Sequence, residues 1–208
     1  MATVQMKVSP EDLSQIPTGS ERIPDPGIMV IFGASGDLTK RKLLPALFHL
    51  EQAGLLPQNF AIVGVARRPL GNEFAEDMRA GIIEFGGVDA ADPKLETFAG
   101  KISYYALSFD DASHYAGLQA ELDRIAAEKN IGPDRFFYLA TAPEYFAPII
   151  DNLGAQGMAQ PENGRVGVVI EKPFGHDLDS ARELNRNVNG VFHESQVFRI
   201  DHYLGKET

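Results

Sequence analysis

The 208-residue chain has no cysteine, which removes disulfides, thiol chemistry and thiolate metal sites from consideration. That fits a reducing compartment, and a cytoplasmic location is expected. No apolar run approaches the ~18 residues that a membrane-spanning helix needs, and no basic-then-apolar leader opens the chain. Neither a membrane partner nor a signal peptide is expected. Positive charge is scarce: 19 Lys and Arg stand against 29 Asp and Glu, for a formal net charge of −10. This argues against a nucleic-acid or anionic-membrane surface, while leaving room for a phosphorylated ligand met by a local basic cluster. HExxH, metal-spaced histidine pairs and calcium loops are all missing, so no metal is expected. Without GxSxG or GxxxxGK[ST], hydrolase and phosphotransferase chemistry has little support.

What is present is 44% apolar residues, enough for a core, and 23% charged residues. Residues 1–27 are polar, hold four prolines and read as a flexible arm. Five apolar stretches of strand length follow: Ile28–Phe32, Ala61–Ala66, Ile102–Leu107, Arg135–Ala140 and Arg165–Ile170. Gln196–Ile200 is a shorter sixth. Helical spacing separates them, with Leu43, Leu44, Leu47 and Leu50 on one stripe ending near Gly54. Further helices are expected near Glu73–Ile83, Asp111–Lys129, Tyr145–Asn152 and Asp179–Asn187. The alternation predicts an α/β fold: a Rossmann-like, doubly wound, mostly parallel sheet with helices on both faces. Strand order is not readable.

Gly33 and Gly36 lie between the first strand and first helix, where glycine permits positive φ and close approach of a phosphate to backbone N–H groups. Ser35 takes the middle place of the dinucleotide fingerprint, and its third glycine is missing. A tight turn alone would explain the pattern. Lys40, Arg41 and Lys42 oppose the helix dipole and suggest an anion site nearby. Arg67 and Arg68 end the second strand, where NAD-binding folds use an acidic residue on the ribose. A guanidinium there pairs with the 2′-phosphate of NADP; surface arginines are the bland alternative. Ala140-Thr141-Ala142-Pro143 reads as an ordinary strand-to-helix turn, or as backbone left open to a flat ligand.

Two later stretches carry unusual chemistry. Lys172, in Glu171-Lys172-Pro173-Phe174-Gly175, emerges at a strand's carboxyl end, where open sheets bind ligands. Pro173 biases it toward extended backbone. Asp201, His202, Tyr203 and Lys206 cluster in Arg199–Glu207. His202, Tyr203 and Lys206 can donate to a phosphate monoester, and Asp201 can fix a histidine tautomer.

These motifs, with Gly33-Ala34-Ser35-Gly36-Asp37-Leu38-Thr39-Lys40-Arg41-Lys42, resemble the glucose-6-phosphate dehydrogenase family. The similarity runs from about Pro24 to Thr208. It implies oxidation of glucose 6-phosphate at C1, with hydride passing to NADP. It implies coenzyme contacts from Gly33, Ala34, Ser35, Gly36, Asp37, Leu38, Lys42, Arg67, Arg68 and Lys172. Lys172, His202, Tyr203 and Lys206 are implied to hold substrate. Asp201 is implied to pair with the general-base histidine, with Lys172 beside it in catalysis. Residues 28–200 are expected to be the NADP-binding domain, and residues 201–208 the start of a truncated catalytic domain. None of His49, His114, His176, His193 and His202 matches the base. The isolated chain is therefore expected to bind coenzyme without turning over substrate. Its alternative is a non-catalytic nucleotide-binding module, or the partner of a separate catalytic chain. The family implies a homo-oligomer at full length, and a monomer is expected for this chain.

Overall fold

The computed structural model describes residues 23–160 and 164–200. Most of the expected arm and the cluster Asp201, His202, Tyr203 and Lys206 lie outside them. The strands are β1 (Ile28–Phe32), β2 (Ala61–Ala66), β3 (Ile102–Ala106), β4 (Arg135–Leu139), β5 (Val166–Glu171) and β6 (Val197–Ile200). They form one parallel sheet in the order β3-β2-β1-β4-β5-β6. After β1 the chain builds outward to β3, then returns to place β4 on the other side of β1. This is the strand order of a doubly wound dinucleotide fold, with its switch point between β1 and β4.

Side chains alternate across the pleat, so the apolar strands feed two cores. Ile28, Val30 and Phe32 of β1 face one layer, together with Val63, Val65, Phe137, Leu139, Val168 and Ile170. Helices α4 (Tyr115–Lys129), α5 (Phe146–Ala155) and α6 (Leu178–Val191) close that side through Leu118, Leu122, Ile149, Leu153 and Val188. Ile31 and Ile62 face the opposite layer. There α1 (Leu44–Gln52), α2 (Asn72–Gly86) and α3 (Pro93–Ala99) contribute Phe48, Phe74, Ile82 and Phe98. Strands buried on both faces need no polar alternation, which is why they read as continuous apolar runs.

The first helix begins at residue 37 and passes through a π-helical turn, Thr39–Leu43, before continuing as α1. Gly81 of α2 packs against that turn so closely that a Cβ would lie 2.6 Å from Lys40 Cγ.

Helix α3 is absent from the expected elements, although its start is written in the sequence. Asp92 caps it, accepting from Lys94 N at 2.8 Å, and Pro93 occupies the first turn, where its missing N–H costs nothing. The helix is only two turns long, too short for periodicity to stand out. Asp92 also accepts from Gln52 Nε2 at 2.7 Å, tying α3 to the end of α1. Asp92→Ala is expected to lower stability by about 1–2 kcal/mol. The effect should appear as a lower urea midpoint with an unchanged slope.

Candidate functional site

The two ends of the sheet are treated differently by charge. At the amino edge, Asp134 accepts from Arg165 N at 2.8 Å and Nε at 2.9 Å. Asp25 adds a second carboxylate to Arg165. Arg135, largely buried beside them, donates to the carbonyls of Gly132 and Asp134. Burial lowers its pKa. That edge satisfies itself.

The carboxyl edge instead opens into a crevice of about 460 Å³ at the switch point, lined by the turn after β1, the end of β2 and the loops after β3 and β4. Gly33 has φ +84°, and a Cβ there would lie 2.4 Å from the Ala140 carbonyl oxygen. The turn is pinned by Gly33 N donating to Val65 O at 2.9 Å and Gly36 N to Gly33 O at 2.9 Å. Ser35 and Gly36 line the crevice, while Asp37 stands exposed at the helix start.

Two expected coenzyme residues point elsewhere. Ala34 is fully buried, its N–H is donated to Val65 O at 3.1 Å, and its side chain packs on Gly64. Leu38 packs against the core beneath α1. Gly64 of β2 leaves room for the Phe74 ring of α2 and for Ala34 of the turn, since a Cβ there would lie 2.4 Å from Phe74 and 2.9 Å from Ala34. Of the three consecutive cations, Lys40 pairs with Asp77, a contact that raises its pKa. Arg41 sits 4.8 Å from the centre of the Phe85 ring. Both are engaged with α2. Lys42 is exposed and makes no contact of this kind among the described residues.

Arg67 and Arg68 do line the crevice. Arg67 donates from Nη1 to the Tyr145 hydroxyl at 2.8 Å, and the Arg68 carbonyl accepts from the Tyr104 hydroxyl. Phe109 and Tyr145, which sequence reasoning did not assign to the site, complete the wall with Thr141. The only signal for them was position: Phe109 follows β3 and Tyr145 ends a short 3₁₀ turn after β4, both at the carboxyl edge of the sheet. The Thr141 hydroxyl is buried with no partner among the described residues.

A second cavity, about 310 Å³, lies two strands away at the ends of β5 and β6. Lys172 lines it with Phe174 and Arg199, so the two late motifs meet here. The register pairs Glu171 with Ile200, and the Arg199 guanidinium lies 5.0 Å from the centre of the Phe174 ring. Arg199 also donates to Glu194 at 2.6 Å and Asn185 at 2.8 Å. The Tyr138 hydroxyl donates to Glu171, and burial, reinforced by that carboxylate, pushes its pKa up. Lys172 thus shares an edge with the switch-point crevice without lining it. Among the described residues, no group of three or more His, Asp or Glu could hold a metal ion. No described helix is long and apolar enough to cross a membrane.

Comparison with known proteins gives this geometry a family. The profile described as glucose-6-phosphate dehydrogenase, NAD binding domain, matches residues 30–208. Glucose-6-phosphate 1-dehydrogenase of Chlamydia pneumoniae is 42% identical over 194 residues, covering 91% of this chain and 38% of that protein. The Bacillus subtilis enzyme is 41% identical, covering 86% and 36%. A solved glucose-6-phosphate dehydrogenase in complex with its substrate glucose-6-phosphate superposes with a TM-score of 0.78 at 39% identity. It covers 89% of this chain and 38% of that one. The chain therefore spans less than two fifths of the length of these relatives. It belongs to the glucose-6-phosphate dehydrogenase family and corresponds to that family's nicotinamide-dinucleotide-binding domain.

Proposed function

We propose that this chain is the coenzyme-binding portion of an NADP-dependent enzyme that oxidises glucose 6-phosphate at C1. One observation carries the choice of NADP: Arg67, at the end of β2, lines the crevice beside the Gly33 turn and forms no ion pair with a carboxylate among the described residues. Its charge is available for a 2′-phosphate, which a guanidinium fork matches in geometry.

The site also fits the rest of a dinucleotide. With no side chain, Gly33 lets the turn pass the Ala140 carbonyl at the crevice floor, and the first helix presents its N-terminal N–H groups to a pyrophosphate. The Thr141 hydroxyl is an orphan that a polar ligand group would satisfy. When bound, the coenzyme supplies the hydride acceptor. The chain's own residues bind and orient. Arg67 and Arg68 hold the 2′-phosphate, with Ser35, Gly36 and Asp37 at the turn and Lys42 nearby. Lys172 reaches from the end of β5 toward the sugar. His202, Tyr203 and Lys206 hold the substrate phosphate, and Asp201 steadies a base histidine.

Calorimetric titration of NADP⁺ and NAD⁺ into the purified chain tests this reading. NADP⁺ is expected to bind about tenfold or more tightly than NAD⁺, the scale of one charge-assisted contact of about 1.5–3 kcal/mol. Equal affinities would remove NADP as the coenzyme. A folded sample that bound neither would overturn the site. Addition of glucose 6-phosphate to the NADP⁺-loaded chain is expected to give no reduced nicotinamide, because none of the five histidines matches the family's base. Steady turnover would refute that expectation.

A further inference from the structure

We infer that Tyr145 and Phe109 form an aromatic shelf that holds Arg67 in place, making Tyr145 a specificity-positioning residue for the coenzyme's 2′-phosphate; this rests on the NADP reading above. Several other cations are held by carboxylates: Lys40 by Asp77, Arg124 by Glu121 and Glu128, Arg199 by Glu194. Arg67 is held by neutral groups. Its guanidinium carbon lies 4.9 Å from the Tyr145 ring centre and 5.9 Å from that of Phe109. One of its five N–H groups is used by the Tyr145 hydroxyl, at 2.8 Å.

A carboxylate in that position would neutralise the charge and have to be displaced by the phosphate. An aromatic face and a hydroxyl restrain the side chain while leaving its charge intact and its other donors unspent. Asp110 is the charged neighbour that Arg67 feels. Its carboxylate accepts instead from Ser108 Oγ at 2.6 Å, which is the main reason its pKa is lowered.

The shelf is anchored in the core. Phe109 meets Tyr145 edge-on at 5.3 Å between ring centres and Phe32 at 6.0 Å. The Phe109 carbonyl accepts from the buried Tyr115 hydroxyl at 2.8 Å and from Asn152 Nδ2 at 3.2 Å. Arg67, an exposed side chain just past β2, is thereby fixed against the 3₁₀ turn after β4, across the switch point. Freezing a long side chain before the ligand arrives spares about 0.5–1.5 kcal/mol of ordering, or about two- to twelvefold in affinity. That advantage applies only to a ligand that uses Arg67.

The experiment is a double-mutant cycle read by calorimetry with NADP⁺ and NAD⁺ on the 208-residue chain. Tyr145→Phe, which keeps the ring, is expected to reduce the preference for NADP⁺ over NAD⁺ about threefold, and Tyr145→Leu about tenfold. Arg67→Ala is expected to abolish the preference, and Tyr145→Leu to have no further effect in that background. If Tyr145→Leu weakens both coenzymes equally, Tyr145 merely lines the crevice and the inference fails. It fails too if the preference survives Tyr145→Leu but collapses in Arg67→Ala, an outcome that leaves the NADP reading standing. If Arg67→Ala changes nothing, or the unmodified chain does not discriminate, the NADP reading falls and the shelf falls with it.

Discussion

Gly33→Ala is expected to cost the protein about 3 kcal/mol or more and to abolish coenzyme binding. Two penalties add. The residue holds φ +84°, and an L side chain in a left-handed conformation loses about 1–2 kcal/mol. The added Cβ would lie 2.4 Å from the Ala140 carbonyl oxygen and 2.8 Å from its carbon, both backbone atoms of the central strand pair. No side-chain rotation relieves that contact. Relief requires β1 and β4 to part at the point where Ala140 N donates to Phe32 O at 2.9 Å, and such overpacking costs about 1–3 kcal/mol. Parting those strands also reshapes the crevice floor. Urea unfolding measures the first effect and NADP⁺ calorimetry the second. A stable variant that bound NADP⁺ normally would show that the turn has an alternative path. Gly36→Ala is the internal control: its φ is not positive and its Cβ would meet only Gly33 O, at 3.1 Å. Its effect on stability should be small.

That contrast shows where the sequence was legible and where it was not. The inner strands β1, β2, β4 and β5 could be read because their burial on both faces leaves continuous apolar runs, and β2 begins and ends where expected, at Ala61 and Ala66. Both glycines of the turn were visible too. Which of them carries the positive φ was not, because that depends on Ala140, over a hundred residues away in sequence and adjacent in space. The same reasoning explains the cations. Lys40, Arg41 and Lys42 read as one basic group, yet the π-helical turn places Lys40 against Asp77 and Arg41 over Phe85. Strand order was unreadable because pairing is non-local. Tyr145 and Phe109 were unreadable as site residues because nothing in their local sequence connects them to Arg67; only the switch-point topology does.

Phe32→Ala is expected to be the most damaging single substitution in the core beneath the crevice, at about 3–5 kcal/mol. Phe32 is fully buried at the carboxyl end of β1, the central strand. Its ring lies 6.0 Å from Phe109, 6.3 Å from Tyr115 and 6.4 Å from Phe137, so its removal leaves a cavity bounded by three aromatic rings. Rigid rings on elements fixed by the sheet collapse poorly into such a space, which places the cost at the upper part of the range. A domain of ordinary stability, about 5–15 kcal/mol, would lose much of its margin. The functional consequence follows from the same contacts. Phe109 rests on Phe32 below and meets Tyr145 and Arg67 above, so loosening Phe32 frees the support of the guanidinium. In samples kept folded at low temperature, Phe32→Ala should therefore lose more affinity for NADP⁺ than for NAD⁺, in the same direction as Tyr145→Leu and without touching a crevice-lining residue. Equal loss for both coenzymes would mean that the core supports the crevice only as a whole. A fall of less than about 1 kcal/mol would mean that the aromatic cluster repacks, and that the shelf does not depend on it.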